Sequence, residues 1–126
     1  MQKRLAALAA SLVLTALAGC ASMQPGSGPV KVSNGMLVDA QGMTLYTFDR
    51  DAAGKSACNG PCVAMWPPVM AAADAKTMSE FTVVKRDDGA GQWAYKGKPV
   101  YRFKDDMAVG DTKGENFRGV WHIARP

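Results

Sequence analysis

Two cysteines and one histidine are the residues of this sequence with the clearest capacity for chemistry: Cys58, Cys62 and His122. The cysteines bracket Asn59-Gly60-Pro61, a turn sequence in which glycine accepts a positive φ and proline fixes its own φ. Such a turn can bring the two Cα atoms within the roughly 4.4–6.8 Å that a disulfide requires. In an oxidising compartment we therefore expect a Cys58–Cys62 disulfide that staples a loop.

A thiol pair that exchanges electrons or binds copper is the second interpretation of these residues. Sulfur and imidazole ligands suit copper, and Met65 and Met70 follow Cys62 closely. The cysteine spacing with a distant histidine also resembles copper-delivery proteins of the respiratory chain, although the thioredoxin-like alternation of strands and long helices is missing here. Zinc is poorly supported, because a closed zinc site uses four ligands. Copper held by Cys58, Cys62 and His122 therefore stays open as the alternative to a structural disulfide.

An internal repeat carries most of the aromatic and acidic side chains. The segment Tyr46-Thr47-Phe48-Asp49-Arg50-Asp51 recurs as Tyr101-Arg102-Phe103-Lys104-Asp105-Asp106, at an offset of 55 residues. The same offset places Lys113 and Phe117 at the positions of the two cysteines, so the cysteine pair is an addition to one unit. We predict two related units, over about 35–70 and 90–125. The recurring residues are Tyr46, Phe48, Asp51 and Trp66 in the first unit and Tyr101, Phe103, Asp106 and Trp121 in the second.

A structural role is the expected use of the repeated motif. The rings should fill the core, while Asp51 and Asp106 accept backbone N–H groups of the loops that follow. Calcium held by Asp49 with Asp51 and by Asp105 with Asp106 is a weaker alternative, because calcium needs six to eight oxygens. The tryptophans should also be core residues. If two of them were exposed together, they would form a stacking face for a sugar or a peptide.

Short extended runs separated by glycine-rich turns indicate a mainly β fold. We predict a small antiparallel sandwich or barrel built from two related β-hairpin units. The Ala-rich segment 69–78 is interpreted as a short helix, and Trp66-Pro67-Pro68 as the end of a strand. The strand of Trp93 should pair with Phe81–Lys85. The other predicted extended runs are 36–38, 43–48, 92–95, 99–103 and 120–124.

No catalytic motif is visible in the sequence. It contains neither a Gly-x-Ser-x-Gly elbow nor a phosphate-binding loop. A histidine-based triad would need the single histidine beside a nucleophile and an orienting acid, and no spacing predicts that arrangement. An acid pair for glycoside hydrolysis stays open, because only geometry would reveal it. We therefore expect a protein without catalytic activity and without a cofactor.

The N-terminus has the pattern of a secretory leader. Lys3 and Arg4 precede an almost wholly apolar run over 5–17, which is shorter than the roughly 20 residues that span a membrane. The run ends in Leu17-Ala18-Gly19-Cys20, which resembles the bacterial lipobox. That resemblance implies a signal peptide over 1–19, acylation of Cys20 and a flexible tether over 20–29. A single β domain over 30–126 should follow.

Taken in order, these features resemble a family of predicted secreted-repeat bacterial lipoproteins, named for paired Tyr-x-(Phe/Trp/Tyr)-x-x-Asp motifs and without an assigned activity. The resemblance implies a cell-envelope protein that contacts the membrane through its N-terminal lipid. Ala21 stands where an aspartate would resemble an inner-membrane retention signal, so in a bacterium with two membranes the periplasmic side of the outer membrane is favoured. Loss of Lys3 and Arg4 with the leader lowers the formal net charge from +4 to +2, which gives no reason to expect nucleic-acid binding. A protein or small-molecule partner is not identified by the sequence.

Overall fold

The structure is a computed structural model, and it describes residues 30–126. The predicted signal peptide, Cys20 and the tether lie outside the described residues. No helix within residues 30–126 is long and apolar enough to cross a membrane. The elements in chain order are β1 Val30–Ser33, β2 Met36–Asp39, β3 Tyr46–Phe48, α1 Pro61–Met65, β4 Met70–Ala71, β5 Phe81–Lys85, β6 Gly91–Tyr95, β7 Lys98–Pro99, a 3-10 turn at Phe117–Gly119 and β8 Trp121–Ile123.

The strands form small antiparallel sheets, which confirms the prediction of a mainly β fold. Strands β1 and β2 pair with each other, and β3 pairs with β8. Strand β6 is the centre of the largest sheet, where it pairs with β4, β5 and β7. Its residues from Gln92 to Tyr95 are all buried. Within residues 30–126 the strands stay in three separate sheets and do not close a barrel.

The two repeats are related by an approximate two-fold axis that passes close to Tyr46 and Tyr101. The amide of Tyr46 donates to the carbonyl of Tyr101 at 2.8 Å, and the amide of Tyr101 donates back at 3.0 Å. Each motif then runs beside the end of the other repeat. Asp49 N–H donates to Val120 O at 2.8 Å. At the equivalent place, Lys104 N–H donates to Met65 O at 3.0 Å.

Pro67 and Pro68 shorten the pairing between the second motif and the end of the first repeat. Segment 46–48 forms the full ladder β3–β8 with 121–123. The equivalent segment after Tyr101 faces Pro67 and Pro68, which have no N–H to donate. Only the bridge between Tyr101 and Pro68 and the bond from Arg102 N–H to Pro67 O remain. One motif is therefore a strand, while its counterpart is an extended segment that makes a single bridge to the 66–68 segment.

Two apolar clusters form the core, and each draws on both repeats. The first cluster is largely aliphatic and includes residues of β1, β2 and β6. The second lies around the two-fold axis and is almost wholly aromatic. The first contains Val30, Leu37, Leu45, Trp93, Tyr95, Val100 and Ala124; the second contains Tyr46, Cys58, Trp66, Tyr101, Phe103 and Trp121.

The helix predicted over 69–78 is wrong. Val69 N–H donates to Val100 O, and Trp93 N–H donates to Val69 O, so this backbone belongs to the sheet. Met70 and Ala71 continue it as β4. The short helix lies instead at α1, where Pro61 occupies the first turn and its missing N–H costs no helical hydrogen bond.

Trp66 follows helix α1, so the prediction that it ends a strand is also wrong. Its amide donates to Cys62 O at 2.8 Å. Trp121 follows the 3-10 turn at Phe117–Gly119. The two tryptophans therefore occupy equivalent places, each within two residues of the end of a short helical segment.

Candidate functional site

Four aromatic rings form one continuous stack across the two-fold axis. Phe48 stacks on Trp121 with 4.2 Å between ring centroids, and Trp121 stacks on Trp66 at 3.8 Å and 3°. Trp66 then stacks on Phe103 at 4.4 Å. The repeat offset exchanges the two phenylalanines and the two tryptophans, so the axis passes between the indoles. Because Trp66 and Trp121 are buried against each other, their stacked faces are not open to a sugar or a peptide.

The tyrosine of each repeat bonds the aspartate of the other repeat. Tyr46 Oη donates to Asp106 Oδ2 at 2.5 Å, and Tyr101 Oη donates to Asp51 Oδ2 at 2.6 Å. Both tyrosine side chains are fully buried. The four most distinctive residues of the motif are therefore brought together in two crossed pairs that join the repeats.

The same aspartates also hold the loops that follow them. Asp51 Oδ1 accepts the N–H of Ala57 at 2.6 Å, and Asp106 Oδ1 accepts the N–H of Lys113 at 2.9 Å. The sequence predicted backbone bonds of this kind, but it did not predict the tyrosine partners. The general rule that a buried tyrosine hydroxyl finds a hydrogen-bond partner was the available signal. It does not say which of the two repeats supplies that partner.

Burial raises the pKa of three of the four groups in these pairs. Burial, reinforced by the bond to Asp106, raises the pKa of Tyr46 far above its ordinary value. Burial and the bond to Asp51 do the same to the pKa of Tyr101. Burial also raises the pKa of Asp51, against the lowering effect of the Tyr101 hydroxyl and the Ala57 amide. At neutral pH the two tyrosines therefore stay protonated and act as hydrogen-bond donors.

Arg86 is a buried cation that the sequence analysis did not single out. Its guanidinium donates to Gln92 Oε1 at 2.7 Å and to Cys58 O at 2.6 Å. It also donates to Ser56 Oγ and Asn59 Oδ1, each at 3.1 Å. All four acceptors are neutral, and three of them lie on the cysteine loop. Arg86 thus attaches that loop to the second repeat.

The cysteine loop is closed by the predicted disulfide. Cys58 and Cys62 are bonded, with 5.3 Å between their Cα atoms, and Cys58 is fully buried. His122 lies opposite Thr47 in the β3–β8 pair, and its Nε2 is 2.8 Å from Asp49 Oδ2. Within residues 30–126 no group of three or more His, Cys, Asp or Glu side chains could hold a metal ion. Nothing in this part of the chain favours the copper or the calcium alternative.

An apolar groove of about 260 Å³ opens between helix α1 and the 3-10 turn. We call it the axial groove, because the buried rings of Trp66 and Trp121, which stack across the two-fold axis, are among its lining residues. Its other lining residues include Met65, Phe117 and Arg118. Arg118 has φ 51°, in the left-handed region that is uncommon for a residue with a side chain.

Comparison with known proteins finds one protein family. A family model described as a secreted repeat of unknown function matches residues 28–70 and, a second time, residues 82–125. The two matches together cover more than half of the chain, and they coincide with the two structural repeats. The chain therefore belongs to this family of secreted repeats. No curated protein and no solved structure matches it.

Proposed function

We propose that this secreted-repeat protein is an envelope lipoprotein, held at the membrane by acyl chains on Cys20, whose folded domain is a noncatalytic binding or structural module. Membership of a secreted family indicates an exported protein. The observation that carries the rest is the internal use of the repeated motif. Its tyrosines, aspartates and tryptophans are buried or bonded to one another across the two repeats. They hold the domain together and are not presented to a substrate.

The lipid anchor is supported by the use of the cysteines. The chain has three cysteines, of which Cys58 and Cys62 are joined to each other, so Cys20 remains for acylation. It follows the apolar run directly, as a lipobox cysteine does. Each buried CH2 of an acyl chain contributes about 0.8 kcal/mol to membrane binding, so several chains give stable anchoring. In a bacterium with two membranes, Ala21 after the cysteine favours the periplasmic face of the outer membrane.

The noncatalytic role is supported by the surroundings of the titratable groups. A hydroxyl or thiol nucleophile is commonly activated by a base within hydrogen-bond reach, and histidine is the base most often used. His122 instead contacts the carboxylates of Asp49 and Glu115, at 2.8 Å and 3.7 Å. Cys58 and Cys62, the two cysteines of the folded domain, are joined as a disulfide. The hydroxyls of Tyr46 and Tyr101 belong to buried side chains and keep their protons at neutral pH.

Replacing Cys20→Ser tests the anchor. The unchanged protein should incorporate labelled palmitate and fractionate with membranes, whereas Cys20→Ser should lose the label and accumulate as an uncleaved precursor. Ser22→Ala, two residues later, is the matched control and should behave as the unchanged protein does. Normal maturation and an unaltered membrane fraction for Cys20→Ser would refute the lipoprotein assignment.

A further inference from the structure

We infer that the domain binds a second copy of itself, with the loop 105–111 of each molecule inserted in the axial groove of the other. This inference rests on the proposed binding role and names its partner. The inference is drawn from two neighbouring surfaces of one chain, an apolar groove and an exposed apolar loop. They carry charges of opposite sign that have no salt-bridge partner among residues 30–126.

The axial groove has the composition of an interface core. Aromatic residues, methionine and arginine are the types enriched where proteins bind one another. Met65 and Phe117 line it as half-buried side chains, and Trp66 and Trp121 line it as buried ones. At about 260 Å³ the groove lies just below the usual range for a small-molecule site, and it suits one or two inserted side chains.

The loop 105–111 offers side chains of that kind. Met107 and Val109 have exposed fractions of 78% and 70%, the highest among the large apolar residues of the described chain. The loop is also ordered in advance. The carboxylate of Asp111 accepts the N–H groups of Met107 and Ala108 at 2.9 Å and 3.1 Å. Because the backbone is already held, docking costs little further conformational entropy.

The charges beside the two surfaces are complementary. Arg118 lies exposed at the rim of the groove, with its guanidinium carbon 5.5 Å from the centre of the Phe117 ring. Asp105 lies exposed at the start of the loop. Neither has a salt-bridge partner among residues 30–126. Insertion of the loop would place one such charge beside the other, which favours this pairing over other contacts.

The two surfaces also lie next to each other on one molecule. Lys104 N–H donates to the carbonyl of Met65 at 3.0 Å, so the loop leaves the domain beside a wall of the groove. When a loop and a groove lie on the same face, two molecules related by a two-fold axis can each insert their loop in the groove of the other. Both contacts then form at once, and the assembly is a closed dimer. The interface is small, so the dimer should be weak in solution. Confinement to a membrane surface would raise its population.

Sedimentation velocity on residues 20–126 carrying Cys20→Ser provides the test. The unlipidated protein should shift from monomer to dimer as its concentration increases. Arg118→Asp and Asp105→Arg should each weaken the dimer by about tenfold or more, because each places like charges at both contacts. An equimolar mixture of these two variants should recover the dimer, since every contact in the mixed dimer again joins opposite charges. Arg50→Asp, at another exposed arginine, is the control and should leave the dimer unchanged.

Three results would overturn the inference. They are a monomer at every soluble concentration, a dimer indifferent to both charge changes, or a mixture that dimerises no better than its components. Circular dichroism of each variant separates a lost contact from a lost fold. Because this protein carries no lipid, failure here leaves the Cys20 anchor standing, and failure of the fractionation test leaves the dimer standing.

Discussion

Tyr46→Phe should destabilise the domain by about 2–3 kcal/mol, although it removes only one oxygen atom. The Tyr46 hydroxyl donates to Asp106 Oδ2 at 2.5 Å and accepts the N–H of Gly114 at 3.2 Å. A hydrogen bond to a charged group contributes about 1.5–3 kcal/mol, and a buried group left without its partner adds a penalty. The ring itself stays in place, so the aromatic packing is retained.

Urea denaturation is the appropriate assay, with Tyr95→Phe as the matched control. Tyr95 donates to Glu80 at 2.8 Å, and the Glu80 side chain is 52% exposed, so water can replace the lost hydroxyl. That substitution should cost less than about 1 kcal/mol. Tyr101→Phe should resemble Tyr46→Phe, because the two-fold relation gives it an equivalent bond to Asp51. Equal losses for Tyr46→Phe and Tyr95→Phe at an unchanged m-value would refute the view that the crossed pairs stabilise the fold.

Three further predictions concern pH, the disulfide and one glycine. Tyr46 and Tyr101 have a higher pKa in the folded state than in the unfolded chain, so their contribution to stability should be fully present below about pH 10 and be lost as the pH rises further. Unfolding curves and tyrosinate absorbance recorded together would show it, and tyrosinate forming in the intact fold near pH 10 would contradict it. Reduction of Cys58–Cys62 should lower the free energy of unfolding by less than the roughly 3 kcal/mol expected for a 15-residue loop, and so lower the melting temperature only slightly; global unfolding would contradict this. Gly114→Ala should lower the free energy of unfolding by about 1–3 kcal/mol, because the new Cβ would lie 2.6 Å from the Trp66 ring. An unchanged melting temperature would contradict this and show that the ring can move aside.

The sequence predicted strands correctly where alternating apolar and polar residues were followed by a turn sequence. Strand β5 occupies Phe81–Lys85 as expected and pairs with the strand that contains Trp93. The repeat offset correctly indicated that Trp66 and Trp121 occupy equivalent places. These features depend either on short-range sequence patterns or on the equivalence of two segments, and both can be recognised in the amino-acid sequence alone.

The contacts between the repeats were not predictable from the same signals. An offset shows that Tyr46 corresponds to Tyr101, but it does not show that each bonds the aspartate of the other repeat. The alanines of segment 69–78 favour a helix, whereas the hydrogen bonds of Val69 to Trp93 and Val100 hold the start of this segment in the sheet. Nothing in the sequence distinguishes Arg86, because an arginine at the end of a strand usually faces solvent. Here its four acceptors, brought together by the cysteine loop, compensate for its burial.

The mass of the intact mature protein, purified from membranes, tests the central claim most directly. A lipid-anchored protein should begin at Cys20, lack residues 1–19 and carry the added mass of several acyl chains. It should also be two hydrogens lighter than the fully reduced chain, because of the Cys58–Cys62 disulfide. An unmodified chain that begins elsewhere, or one that retains residues 1–19, would contradict the assignment as an exported lipoprotein.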